Sequence, residues 1–135
     1  MKIEIRSGIP ESASLWDVFL SAGWNGEYNL TETEYYTTAL ESRFIVSAYS
    51  GEKLIGYGRI AADGIMHAMI YDLIVLPEYR GYGAGSEILE KLIKLCREAG
   101  IKDIQLFCAR GKREFYEKRG FAARPADAPG MDYEI

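Results

Sequence analysis

Val75-Leu76-Pro77-Glu78-Tyr79-Arg80-Gly81-Tyr82-Gly83-Ala84-Gly85-Ser86 carries the end of an apolar strand through a glycine-rich turn into the start of a helix. Pro77 stops the strand because it has no N–H to give a sheet ladder. Gly81, Gly83 and Gly85 then remove Cβ atoms at alternate positions, so that backbone N–H groups can come close to a ligand and point one way. The helix that begins there adds the positive end of its dipole, which suits a phosphate or pyrophosphate. Arg80 offers the same anion a permanent charge and a forked donor. A nucleoside-triphosphate loop is excluded, since Ser86 and Glu87 stand where Gly-Lys-Ser/Thr would need Gly and Lys. A dinucleotide fingerprint is excluded as well, because Ser86 occupies the place of its last glycine.

Working outward, a long strand from His67 to Leu76 leads into this turn, itself preceded by a turn at Asp63-Gly64. Downstream, Ile88, Leu89, Leu92, Ile93, Cys96 and Ala99 recur at helical spacing and make one apolar face, with Gly100 as the C-terminal cap. The N-terminal half reads as a strand at Lys2–Arg6 and a helix opened by Pro10 and Glu11. A second helix follows, started by the Thr31-x-x-Glu34 capping box, and then a hairpin of Arg43–Tyr49 and Lys53–Ala61 about Ser50-Gly51. The C-terminal part reads as a strand at Lys102–Cys108 and a short helix at Lys112–Arg119 ended by Gly120. Beyond it, a loop from Pro125 to Met131 precedes a last strand. The order gives one mixed α/β domain over residues 1–135, without internal repeat or linker.

A chain of 135 residues that is 48% hydrophobic and 27% charged has the composition of a globular domain with one core. No apolar run reaches the roughly 20 residues of a membrane helix, and the start lacks the apolar region of a signal peptide. Cys96 and Cys108 form no metal-ligand spacing, so no metal is expected and a reducing, cytoplasmic setting is the default. The net charge of -4 argues against a nucleic-acid surface. Arg110, Lys112, Arg113, Lys118 and Arg119 alternate with acids and read first as a solvated face. Their other reading is as a guide for a polyanionic cofactor.

Val75 to Gly85 resembles the acetyl-CoA motif of the GNAT superfamily of N-acyltransferases, whose core is Arg/Gln-x-x-Gly-x-Gly/Ala, with Arg80, Gly83 and Gly85 in those positions. Phe115-Tyr116-Glu117-Lys118-Arg119-Gly120-Phe121 resembles that family's Tyr-containing helix end. The resemblance spans nearly the whole chain. It implies a single, mostly antiparallel mixed sheet flanked by helices and acetyl-CoA as the cofactor. It also implies an amine of a small molecule or peptide as the acceptor, with no nucleic acid or membrane partner and with self-association as a homodimer left open. It places Ile74 and Val75 as main-chain partners of the pantetheine arm. The amides of Gly81, Tyr82, Gly83, Ala84, Gly85 and Ser86 fall on the pyrophosphate, and Phe115 beside the cofactor.

The reaction so implied is attack of an amine on a thioester carbonyl. Tyr116 stands where the family's general acid stands, and a phenol of pKa about 10 can protonate a thiolate whose acid is near 8.5. The plainer reading of Tyr116 is packing on the cofactor. Asp72, within an otherwise apolar strand, is either the base or a proton-relay member, or else a structural hydrogen-bonding group; Tyr71 lies beside it. His67 is too far up the strand for that role. Trp24, Tyr28 and Tyr71 suggest an aromatic wall for the acceptor and Glu27 an attraction for a cation, or equally a lid that only packs. One departure from the family is Ala109, seven residues before Tyr116, where members commonly carry a cofactor-binding asparagine. Two other readings share the motifs: a catalytically silent acyl-CoA-binding sensor or scaffold, and an acyltransferase with an oxygen acceptor or a longer acyl chain.

Overall fold

The computed structural model describes residues 1–135, which form two compact units, Met1–Gln105 and Leu106–Ile135. The first holds β1 (Glu4–Ser7), α1 (Ser12–Ser21), α2 (Asn25–Tyr28), α3 (Glu32–Leu40), β2 (Phe44–Ser50), β3 (Lys53–Ala62), β4 (His67–Val75), a 3-10 turn (Pro77–Tyr79) and α4 (Ala84–Glu98). After α4 comes β5 (Asp103–Leu106), and α5 (Arg113–Glu117) belongs to the second unit. The sheet runs β1-β2-β3-β4-β5, with antiparallel pairs from β1 through β4. This is the mixed sheet flanked by helices that the sequence implies. β5 joins at the start of β4, where the N–H groups of Lys102 and Asp103 donate to the carbonyls of Ile65 and Met66.

α4 and the α1–α3 pair bury different parts of the sheet. Ile88, Leu89, Leu92 and Cys96 are fully buried, as their helical spacing requires. Gly58 lets α4 approach β3 this closely, since a Cβ there would meet Leu92 Cδ1 at 2.9 Å and Ile88 Cγ2 at 3.1 Å. Leu15, Val18 and Phe19 of α1 join Tyr35 and Ala39 of α3 over Ile45, Leu54, Tyr57, Ile74 and Leu76. The capping box forms as read: Glu34 N–H donates to Thr31 Oγ1 and Thr31 N–H to Glu34 Oε1. Ser12 Oγ donates to Glu32 Oε2 at 2.8 Å and ties α1 to α3.

Three features differ from the sequence reading. Residues 25–28 form a single helical turn where a plain connection was expected, held by Asn25, whose side chain both donates to and accepts from the backbone of Leu30. Register slips occur at two points, between Ala48 and Tyr49 on β2 and between Tyr57 and Arg59 on β3. The last strand does not form: residues 121–135 hold no ladder, only a turn closed by Ala128 N–H on Pro125 C=O. Pro125 to Met131 is loop, as read, and the exposed residues 132–135 pair with no strand. Gly130 lies so near the Phe107 ring that a Cβ would stand 2.6 Å from it.

Candidate active site

The glycine turn takes the shape its composition demands. Gly81 and Gly83 have φ of +87° and +89°, in the left-handed region that side chains disfavour, and nothing lies within 4 Å of where a Cβ at either would stand. Gly83 is also the N-cap of α4, and being glycine it contributes no side-chain cap to the first-turn amides. Those amides have no intrahelical acceptor. The start of α4 is therefore a positively polarised end with open space at Gly81 and Gly83, as an anion site requires. Ala84 is buried and anchors the turn, whereas Tyr82 is exposed. Gly85 and Ser86 are in the first turn of α4. Arg80, exposed, donates from Nε to the carbonyl of Val75 at 3.1 Å, so its guanidinium is held between the strand end and the turn.

That bond shows how the end of β4 is oriented. Leu76 N–H donates to Ile55 C=O at 2.8 Å, which turns the main-chain groups of Leu76, and of Ile74 two residues earlier, toward β3. The carbonyl oxygen of Ile74 lies 2.8 Å from where a Gly56 Cβ would be. Val75, between them, faces the other way, toward the side where its carbonyl meets Arg80. The structure thus separates the two residues read as a pair. Val75 turns its main chain away from β3, with its carbonyl accepting from Arg80, and Ile74 is occupied by the ladder and contributes its side chain to the core.

Asp72 has φ of +54°, and it sits where β4 gains a residue: Tyr57 faces Ile74 and Arg59 faces Tyr71, leaving Asp72 and Leu73 opposite Gly58 alone. This bulge sets its carboxylate between two buried or partly buried donors. Oδ2 accepts from Arg59 Nε at 2.7 Å and from the Tyr35 hydroxyl at 2.8 Å. The Tyr35 hydroxyl is also hydrogen-bonded to that of Tyr57. With its single proton given to Asp72, Tyr35 accepts from Tyr57. Burial, and then the charge of Asp72, raise the Tyr35 hydroxyl well above the usual phenol range. Burial, followed by its coupling to Tyr35, does the same for Tyr57. Arg59 is braced further by Ser42 Oγ at 3.4 Å and lies 5.3 Å from the Tyr71 ring centroid. Tyr35, Tyr57 and Arg59 were not singled out in the sequence. The one available signal was Asp72, a charge in an apolar strand that had to have partners.

In the second unit, Tyr116 is half-buried, with Phe115 at 5.1 Å and Phe121 at 5.8 Å, both edge-on to its ring. Burial first, and the nearby Cys108 second, raise its hydroxyl above the ordinary phenol value, so it keeps its proton at neutral pH. Its helix ends as the sequence reads. Gly120, at φ +95°, sends its N–H to Glu117 C=O, and Phe121 sends its own to Tyr116 C=O. Arg119 stacks on Phe115 at 3.9 Å and donates to its carbonyl. Ala109 is exposed. In the first unit, Trp24 is partly buried against the α1–α3 core, whereas Glu27, Tyr28 and Tyr71 are exposed. His67 pairs with Asp103 at the outer start of β4, away from the bulge.

No helix is long and apolar enough to cross a membrane. Among curated proteins, residues of this chain match the GCN5-related N-acetyltransferase 2 (chloroplastic) of Arabidopsis thaliana with 39% identity over 80 residues, which is 59% of this chain and 31% of that protein. An uncharacterized N-acetyltransferase of Porphyra purpurea is 35% identical over 82 residues, 61% of this chain and 47% of its own. The chain thus spans a third to a half of the length of these relatives. Among solved structures, a GNAT-family acetyltransferase from Streptococcus pneumoniae superposes with a TM-score of 0.83 at 25% identity, covering 99% of this chain and 98% of its own. The model of the acetyltransferase (GNAT) family matches residues 12–121, which takes in the glycine turn, the bulged strand and Tyr116. On that match the chain belongs to the acetyltransferase (GNAT) family, a family of acyltransferase enzymes.

Proposed function

We propose that this chain is an N-acetyltransferase that moves an acetyl group from acetyl-CoA to the amine of a small molecule or a peptide. The observation that carries the reading is the uncapped start of α4 beneath the open, left-handed turn of Gly81 and Gly83. A pyrophosphate fits such a place because the amides of a helix start and the helix dipole both favour it. Gly81, Tyr82, Gly83, Ala84, Gly85 and Ser86 would hold it by their main chain. Arg80 adds charge, Val75 offers main-chain hydrogen bonds on the side away from β3, and Phe115 packs beside the cofactor. Acetyl-CoA supplies the acetyl thioester. A neutral amine nitrogen attacks its carbonyl, the C–S bond breaks as Tyr116 gives the departing sulfur its proton, and the proton that the nitrogen sheds passes to solvent, from which Tyr116 is reprotonated. Trp24, Glu27, Tyr28 and Tyr71 are the residues from which an acceptor pocket would be drawn. A reducing compartment, the cytoplasm, suits the two free thiols of Cys96 and Cys108.

A panel of primary amines and peptides mixed with acetyl-CoA, read by thiol release, tests the proposal. At least one acceptor is expected to release thiol well above the amine-free background, with acetylated amine formed in equal amount. Acetyl-CoA bound but never turned over across the panel would contradict it and leave a silent acyl-CoA-binding module.

A further inference from the structure

The proposed cofactor contact at Val75 depends on the direction its main chain faces, and that direction is set upstream. Alternation along a strand is strict, so one extra residue reverses the side to which every later main-chain and side-chain group points. The extra residue here is at Asp72. Without it, Ile74 would turn its main chain outward and its side chain out of the core it shares with Tyr57 and Leu76. An aspartate tolerates the left-handed region better than most residues but does not choose it, so the surrounding structure must hold it there. Two donors from two elements do so, backed by a third group. Tyr35 comes from α3 and Arg59 from β3, both acting directly on Oδ2, and Tyr57 from β3 acts through Tyr35. No other charged side chain is hydrogen-bonded to Asp72.

We propose that Tyr35, Tyr57 and Arg59 are positioning residues that lock the Asp72 bulge and so hold the Val75 main chain turned away from β3, toward acyl-CoA. Asp72 is the fourth member of this lock and not the general base. The chain of hydroxyls supports this second statement. It leads from Asp72 through Tyr35 to Tyr57, which is 0% exposed, so this relay ends in the core, and Asp72 Oδ2 is already taken by two donors.

The inference rests on the acyl-CoA reading for its binding consequence, and on geometry alone for the lock. The experiment therefore has two arms, with Tyr35→Phe, Asp72→Asn and Asp72→Ala as variants. Tyr36→Phe is the control, since it removes a hydroxyl from the same helix that bonds to Pro10 C=O and not to Asp72. In the unliganded protein, amide exchange of Ile74 and Leu76, whose main chains face β3, read by NMR should accelerate about tenfold in Tyr35→Phe and more in Asp72→Ala, the scale of one lost hydrogen bond. It should stay unchanged in Tyr36→Phe. In the second arm, Tyr35→Phe should raise the acetyl-CoA Kd and KM about tenfold, with kcat at saturating cofactor nearly preserved. Asp72→Asn, which also tolerates the left-handed region, should fall between wild type and Asp72→Ala.

Unchanged exchange in Tyr35→Phe and Asp72→Ala would overturn the lock. A lowered Tm with unchanged Kd would reduce the cluster to a stability element and overturn its positioning role. The groups facing Asp72 are Tyr35, Tyr57, Arg59 and its neighbour Tyr71. If Asp72→Asn displaces the acidic limb of the kcat–pH profile while Kd stays fixed, Asp72 is the base and the inference fails. A wild-type protein that binds no acetyl-CoA would count against the proposed function and leave the exchange arm to decide the lock.

Discussion

The Tyr116 hydroxyl is the atom on which proposed catalysis and packing can be told apart. Tyr116→Phe keeps the ring between Phe115 and Phe121 and removes only the proton donor. Thiol-release kinetics should show kcat lowered about 100-fold, the low end for loss of a general acid because a thiolate leaves readily, with the cofactor Kd nearly unchanged. Full kcat in the variant would make Tyr116 a packing residue. Arg80 is exposed and already bonded to Val75 C=O, so its pull on a phosphate is screened. Arg80→Ala should raise the acetyl-CoA Kd roughly tenfold at low salt and less at high salt. Binding equal to the parent at low ionic strength would make it a surface residue only. These two residues, with Gly81 and Gly83, were legible because their motif is local. The partners of Asp72 were not, since Tyr35 is 37 positions away in sequence and a buried tyrosine in an amphipathic pattern reads as ordinary core.

The elements themselves were legible for the same local reasons. The α4 face, the Thr31 capping box and Pro77 as a strand stop depend on residues within a turn or two of one another. The place of the bulge at Asp72 could not be assigned from the sequence, because a one-residue slip is settled by the packing of two strands. The reading of Ile74 and Val75 as equivalent failed for this reason. The expected last strand failed because residues 132–135 are exposed and pair with no neighbouring strand. Close approach at β3 gives a direct test: Gly56→Ala puts a methyl 2.8 Å from the Ile74 carbonyl, a backbone atom that cannot swing aside. Denaturant unfolding should show a loss of about 1–3 kcal/mol, the usual cost of overpacking. No loss would mean that β3 and β4 have more room than the structure shows. At the glycine turn there is space but no conformational freedom. Gly83→Val should therefore both abolish cofactor binding and cost about 1–2 kcal/mol from its left-handed backbone.

At the scale of the whole molecule, the buried tyrosines make stability fall at high pH. Tyr35 and Tyr57 hold their protons in the folded protein far above the pH at which an unfolded tyrosine ionises, near 10. Above that pH the unfolded chain binds fewer protons than the folded one, so the stabilisation is complete below about pH 10 and is lost as pH rises further. The slope approaches about 2.7 kcal/mol per pH unit for the pair, and Tyr35→Phe should roughly halve it. Denaturant titrations across that range check this; a flat profile would contradict the burial of the pair. The central claim, that the start of α4 holds the pyrophosphate of acetyl-CoA, is tested most directly by calorimetric titration of the intact chain with acetyl-CoA. The account predicts saturable binding in the micromolar range that Gly83→Val eliminates. No heat and no thermal shift at millimolar cofactor would contradict it.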